Sequence, residues 1–388
     1  MSYKKIGDYI NLVDVRNKDL SINKLLGLTV NKQFIPSVAN IIGADMANYK
    51  IIKKNQFACS TMQVRRDKKM PVALLKEYDE AIISQAYPIF EIRNESELLP
   101  DYLMLWFTRS EFDREACFNA VGGVRGSLEW EDFCEMQVPI PSIEKQKEIV
   151  KEYNVVQNRI DINNKLIEKL EETAQAIYKN WFVDFEFPNK KGKPYKSSGG
   201  KMVWNEELEK DIPLGWEVKE LSEITILKAG GDRPNIYSET RTNNCNIPIY
   251  SNGITNEGLY GYTNKANYSK NSITISARGT IGYCKLRNED FDAIVRLIVV
   301  IPNKESYSKY LFEYLRRVEF DNSGSVQNQL TIPQISTIGI LLPINDILKE
   351  YDYKIEIILS NIRNLQSENQ KLEELKEILL SRLAGGLG

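Results

Sequence analysis

The residues of this chain that could do chemistry are cations and hydrogen-bond donors rather than nucleophiles. Between Lys50 and Lys76 stand eight basic residues and one acid, Asp67; between Lys228 and Arg287 stand eight basic residues and three acids. The whole chain carries a net charge of −2, and residues 345–384 hold six basic and eight acidic side chains. Positive charge is therefore gathered in two places, one in each half, and such patches attract anions. Either patch alone also fits a solvated surface. The usual catalytic groups are missing. There is no histidine, which removes the commonest general base and metal ligand and every Ser-His or Cys-His nucleophile. Neither a G-x-x-x-x-G-K-[ST] phosphate loop nor a G-x-G-x-x-G following a strand is found. The Asn/Asp-Pro-Pro-aromatic motif with which amino-methyltransferases hold a target base is absent too. The five cysteines, at 59, 117, 134, 245 and 284, include no C-x-x-C pair and read as core residues with an occasional surface thiol. An enzyme built from carboxylates alone stays open, but no spacing singles out a pair.

The elements that must position these groups are written twice. "YLMLWFTRSEFD" (102–113) returns as "YLFEYLRRVEFD" (310–321). Downstream, at an offset of 202, Gly122 meets Gly324, Leu128 meets Leu330, Phe133 meets Ile335, Val138 meets Ile340 and Pro141 meets Pro343. Upstream, "YKKIGDYINLV" resembles "EVKELSEITIL" at 217–227. A period of about 200 residues is too long for a solenoid and predicts two similar domains related by approximate two-fold symmetry. Strand-like runs in each globular part are "KIGDYINLV", "AIISQAYPIFEI", "SITISARGTIGYCKL" and "AIVRLIVVIP". The two Tyr-Leu copies show helical spacing and read as core.

Each repeat ends in a long helical pattern. Ile149, Tyr153, Val156, Ile160, Asn163, Ile167, Leu170, Ala174, Ile177 and Trp181 alternate steps of four and three, as do Tyr351, Ile355, Ile358, Ile362, Leu365, Asn369 and Leu372. Leu375, Leu379 and Leu383 continue the second with one slip. Steps averaging 3.5 residues form a coiled-coil seam. Without internal Pro or Gly, each segment predicts one helix of about 40 residues, roughly 60 Å long. The asparagines at 163 and 369 would cost stability and disfavour wrong registers. Pro, Gly, Ser and Lys crowd the start of 185–211, which reads as a connector. The expected organisation is a first globular domain at 1–141, a long helix at 142–184, the connector, a second globular domain at 212–342 and a second long helix at 343–388. No apolar run long enough to span a membrane and no signal-peptide pattern occurs, so a cytoplasmic protein without a membrane partner is expected.

Four stretches carry a resemblance. "VPIPSIEKQKEIV" resembles the Pro-Leu-Pro-Pro-Leu-x-Glu-Gln-x-x-Ile-Val signature that opens the central helix of type I restriction-modification specificity subunits. "LIEKLEETAQAIYKNWFVDFEFPN" followed by "IPLGWEVKELSEI" is similar to that family's passage into its second recognition domain, and "LLSRLAGG" to its terminus. Lys145 stands where the family usually has Glu, and "LLPINDILKEY" lacks the Glu-Gln pair. The resemblance implies an α+β architecture: two mixed α/β target-recognition domains separated by two long antiparallel coiled-coil helices, with a pseudo-two-fold internal repeat. It also implies a chain with no chemistry of its own that reads a bipartite target in double-stranded DNA. Two modification subunits would join it, methylating adenine at N6 with S-adenosylmethionine held in them and not in this chain. Restriction subunits would join to cut unmodified DNA.

On that footing the cationic stretches become DNA-contact candidates. Lys, Arg and main-chain N–H groups bind phosphates, while Arg, Lys, Asn, Gln, Ser and Thr read base edges in the major groove. In the first domain the candidates are Ser60, Thr61, Gln63, Arg65, Arg66, Lys68, Lys69 and Arg125. In the second they are Arg233, Ser251, Asn252, Arg278 and Thr280, with Gln327 and Asn328 (followed by Gln329) where the first copy has Arg125. Two other readings are a coiled-coil scaffold that only joins proteins and a metal-dependent carboxylate nuclease. Retention of duplex DNA and cleavage with magnesium would separate them.

Overall fold

In the computed structural model, residues 3–37, 45–62, 64–122, 126–320 and 329–383 are described. The chain divides into two compact units: residues 1–164 with 366–388, and residues 165–365. Each unit takes a globular part and a portion of both helices, Ile143–Tyr178 and Asn345–Arg382.

The first unit is built on a four-stranded antiparallel sheet in the order Ile10–Val13, Ile89–Ile92, Phe57–Cys59, Val72–Leu74. The second repeats it as Thr225–Ala229, Ile298–Pro302, Ile273–Ile275, Cys284–Leu286. In each, a short strand at the start of the repeat pairs with one just before the long helix. Tyr3–Lys5 meets Gln137–Pro139, and Glu217–Glu220 meets Gly339–Leu342. The repeated tyrosines do the same work. The Tyr102 hydroxyl donates to the Pro139 carbonyl at 2.9 Å, and the Tyr310 hydroxyl to the Leu341 carbonyl. Each ties a helix to its closing strand from inside the core. The first Tyr-Leu copy is two helices, Pro100–Thr108 and Ser110–Asn119, because Arg109 takes an extended ψ of 143°. The second is one helix, Ser308–Leu315. "AIISQAYPIFEI" likewise holds two strands, Glu80–Ile83 and Ile89–Ile92.

Gln146, from the Glu-Gln position of the helix signature, is fully buried. Its amide accepts from the Leu99 N–H at 2.8 Å and donates to the carbonyls of Glu97 and Pro141. It satisfies the entrance of helix Pro100–Thr108 and locks it to the start of the long helix. The aligned residue of the second repeat is Leu348, also fully buried, so a polar staple in one unit is replaced by packing in the other.

Within the first unit the two helices run antiparallel: Lys376 lies over the Tyr153 ring at 5.6 Å, and Arg159 pairs with Glu368 at 2.8 Å. Ile160 is buried on this seam and Leu372 half-buried. Leu375, expected on it, is instead exposed; Lys376 takes the seam position, and Leu380 and Leu383 enter the first core. Asn163 is 1% exposed and donates to the Asn369 Oδ1 at 2.9 Å, while Asn369 donates to Asn164 at 2.8 Å. Asn163→Leu should cost about 1 kcal/mol, because it removes the donor from the Asn369 carbonyl at a half-buried point of the seam. Adding Asn369→Leu should recover most of that loss, read from urea midpoints of the single and double variants.

In the second unit Ile362 is buried, and Ile167, Leu170, Ile358 and Leu365 are half-buried. The first long helix ends there in a π-turn, Lys179–Val183. This wider turn brings Trp181 and Phe182 together into the core with Tyr178, against Tyr310 and Tyr351. The expected connector 185–211 is no loose linker. Phe187 stacks on Tyr195 at 4.5 Å and on Trp216 at 5.2 Å, and Met202–Asn205 pairs with Lys210–Pro213 as a hairpin. Among the described residues, no helix is long and apolar enough to cross a membrane.

Candidate nucleic-acid interface

Of the sequence candidates, Gln63, Arg125, Gln327 and Asn328 lie outside the described residues. Apart from Arg233, the others fall at one topological position, the link joining the last two strands of the four-stranded sheet, or beside it.

In the first unit that link is 60–71. It leaves and rejoins the sheet through a pinch in which the Ser60 N–H donates to the Pro71 carbonyl at 2.8 Å. Val64 and Met70 are fully buried and pin the two ends of a short helical turn, Val64–Asp67. The residues between have no core to enter, so Arg65, Arg66, Lys68 and Lys69 are exposed while Ser60 and Thr61 are half-buried. The link lies against the loop after helix Ser110–Asn119. The Leu128 N–H donates to Thr61, the Arg65 N–H to Gly126, and the Arg65 Nη1 to the Gly122 carbonyl at 2.8 Å. Only glycine fits at 126, where a Cβ would stand 2.9 Å from the Val121 carbonyl. Arg66 forks onto Asp67 at 2.7 and 3.0 Å, and this bond holds the Asp67 carboxyl below the usual carboxylate range.

In the second unit the link is 276–283, pinched by the Ser276 N–H donating to Tyr283 at 3.0 Å. The same neighbour returns: the Leu330 N–H donates to Ala277 as Leu128 does to Thr61. An arginine again reaches across, with the Arg278 Nη2 donating to the Gln329 Oε1 at 2.8 Å. Arg278 and Thr280 are exposed, and Gly279 turns between them with φ 68°. The loop 251–258 lies alongside. Ser251 caps it, its N–H donating to Gly258. Asn252 spends both ends of its amide on main chain, accepting from the Ala277 N–H and donating to the Val295 carbonyl, each at 2.7 Å. That leaves its base-reading face occupied and makes it a clamp between loops. Arg233 is exposed, its guanidinium 5.1 Å from the Tyr237 ring centre.

Several cations counted in the sequence are spent internally. Lys50 is buried and donates to the Tyr87 carbonyl, Lys76 pairs with Asp101, and Arg241 pairs with Glu289. Lys285 pairs with Glu257. Arg287, 3% exposed, donates to Thr274 and to the Glu257 carbonyl and stacks 3.6 Å from the Tyr250 ring centre. What remains outward on each rigid sheet is a small set of guanidinium, ammonium and hydroxyl groups on loops. Such a set can hold phosphates and reach base edges. Arg65→Ala should therefore weaken duplex binding and lower the log–log salt slope by about 0.9, as for one lost phosphate contact. Arg66→Ala should do less, since Asp67 already neutralises it. Binding isotherms at several salt concentrations would show both.

The comparisons with known proteins bear on the same two places. The family described as type I restriction modification DNA specificity domain matches twice, at residues 8–172 and 213–377. The MjaIX specificity subunit of Methanocaldococcus jannaschii is 28% identical over 308 residues, 74% of this chain and 67% of that protein. The HindI specificity subunit of Haemophilus influenzae is 22% identical over 97% of this chain and 94% of its own. The crystal structure of a type I S subunit from M. genitalium shares the fold, with a TM-score of 0.61 at 16% identity, covering 98% of this chain and 95% of that one. Two family matches that together cover most of the sequence, one in each repeat, place it: the chain belongs to the type I restriction-modification DNA specificity family.

Proposed function

We propose that this specificity subunit reads a bipartite duplex target, one short sequence per unit, and does no chemistry itself. The observation that carries this reading is the shared placement of the two candidate surfaces. Two copies of one sheet each present an arginine-bearing link, 60–71 and 276–283, backed by the same neighbouring loop, yet the links differ in length and sequence. Equivalent scaffolds carrying different readers suit two different half-sites. Modification subunits would supply S-adenosylmethionine and transfer the methyl group to adenine N6, and restriction subunits would cut unmodified DNA. This chain's residues would only bind, orient and space.

Selection of full-length protein on a pool of random duplexes tests the reading. The expected product is two short conserved blocks with a fixed gap of any sequence between them. Recovery of no motif would favour a scaffold that only joins proteins, and methyl transfer to DNA by the chain alone would overturn the non-catalytic assignment.

A further inference from the structure

Next to the second candidate surface stands a strained two-residue turn that no candidate residue occupies. Val295 and Arg296 have φ of 56° and 62°. The Leu297 N–H donates to the Ile294 carbonyl at 3.1 Å across them. Two successive left-handed residues closed by such a bond are the pattern of a type I′ turn, where Asn-Gly or Gly-Gly is usual. Here the pair is Val-Arg, and the left-handed region is especially unfavourable for a β-branched residue.

The surroundings hold the turn in place. The Val295 N–H donates to Gly231 at 2.9 Å, the Arg296 N–H to Gly230 at 3.2 Å, and the Gly230 N–H to Leu297 at 2.8 Å. A Cβ on Gly230 would stand 2.7 Å from the Ala293 carbonyl carbon. Ile294 and Leu297 on either side are 1% exposed, whereas Val295 and Arg296 both face outward. The fold thus accepts strain for two exposed side chains that glycine would spare it, and strain of this kind persists where function uses it. In the first unit the corresponding turn, closed by the Tyr87 N–H donating to Ser84, contains no left-handed residue.

A second observation says what the turn faces. The Val295 carbonyl accepts from Asn252, whose other amide end holds the Ala277 N–H. One side chain therefore ties the crest of the turn to the link that carries Arg278.

We infer that Arg296 reads a base edge in the half-site bound by the second unit. The inference rests on the DNA reading proposed above. A guanidinium suits guanine O6 and N7, to which it can donate two parallel bonds.

The test uses the full chain and the random-duplex selection, with Arg296→Gly and Arg296→Lys beside the wild type. Glycine removes the side chain and relieves the backbone, so this variant should melt no lower than the wild type. Its selected motif should lose one or two positions of one block, with about five- to 150-fold weaker discrimination there, and keep the other block. Lysine keeps the charge but not the fork, so it should lose the same positions. A glycine variant that selects the wild-type motif, or a lysine variant that restores it, would overturn the inference. A wild type that selects no motif would instead overturn the DNA reading.

Discussion

Exchanging residues 217–342 for the matching segment of another specificity subunit is expected to change one block of the recognised sequence and leave the other untouched. The ends of this segment are already joined: Glu217 and Leu342 are register partners in the antiparallel pair that closes the second globular part. The cut leaves Trp216 with Phe185 and Phe187 on the acceptor side, where they pack together. It carries the whole four-stranded sheet, the link 276–283 and the turn at 295–296 with the graft. The grafted domain must bring equivalents of Tyr310 and Leu311, which complete the core around Phe182. Each mismatched base pair in a recognition site costs about 1–3 kcal/mol. A duplex carrying the old second half-site, wrong at two positions, should therefore bind the chimera more weakly by about 2–6 kcal/mol, and the new one should bind as well as the parent bound its own. Loss of both blocks would mean that the two units do not read independently.

The repeat was legible because core positions recur for structural reasons. Tyr102 and Tyr310 each need a carbonyl partner in the closing strand of their own unit, and Leu128 and Leu330 each dock on the link of theirs. The long helices were legible from their seven-residue rhythm, except where Lys376 replaces Leu375 on the seam, since a lysine stem can lie along an aromatic ring as an apolar residue would. The packing inside 185–211 was not legible because its composition says connector, while the stack of Phe187, Tyr195 and Trp216 exists only after folding. Charge density overstated the candidate surface. Nothing in the sequence says that Lys50 and Arg287 turn inward or that Arg241 and Lys285 meet Glu289 and Glu257. Arg296 was hidden for the opposite reason. "AIVRLIVVIP" reads as one strand, and a type I′ turn made of Val and Arg carries none of the Gly or Asn that would announce it.

The first candidate surface depends on an ion pair buried behind it. Lys32 sits at φ 62° in the tight turn between Leu26–Leu28 and Phe34–Pro36, and its ammonium reaches Asp113 Oδ1 at 2.8 Å. The two side chains are 7% and 11% exposed. Lys32 also donates to the Phe107 carbonyl and lies 5.1 Å from the Phe112 ring centre. The same Asp113 oxygen accepts the Met70 N–H at 3.0 Å, at the end of the cationic link. One carboxylate thus holds the 26–36 hairpin and the returning end of 64–70 to helix Ser110–Asn119. Asp113→Ala strands a buried cation and should cost about 3–5 kcal/mol at neutral pH. Pairing it with Lys32→Met should recover much of that, leaving mainly the unpaired Met70 N–H and the Phe107 carbonyl that Lys32 had bonded. The deficit of the single variant should also depend on pH, with a defined sign. Burial already pulls the Lys32 pKa below its ordinary 10.5, against the opposing pull of Asp113. Without Asp113 the downward pulls of burial and of nearby Lys69 are unopposed. Between the variant's depressed value and the wild type's own, the folded wild type holds a proton that the folded variant has lost, so the variant's stability relative to wild type rises with pH across that window. Denaturant unfolding of wild type and variant side by side at pH 7 and pH 9.5 should show the gap narrowing at the higher pH. Duplex binding by the folded double variant should still be weaker than wild type, because Met70 no longer anchors Arg65–Lys69. A gap that widens with pH would mean that Lys32 is not the stranded charge, and full affinity in the double variant would mean that the link keeps its shape without Asp113.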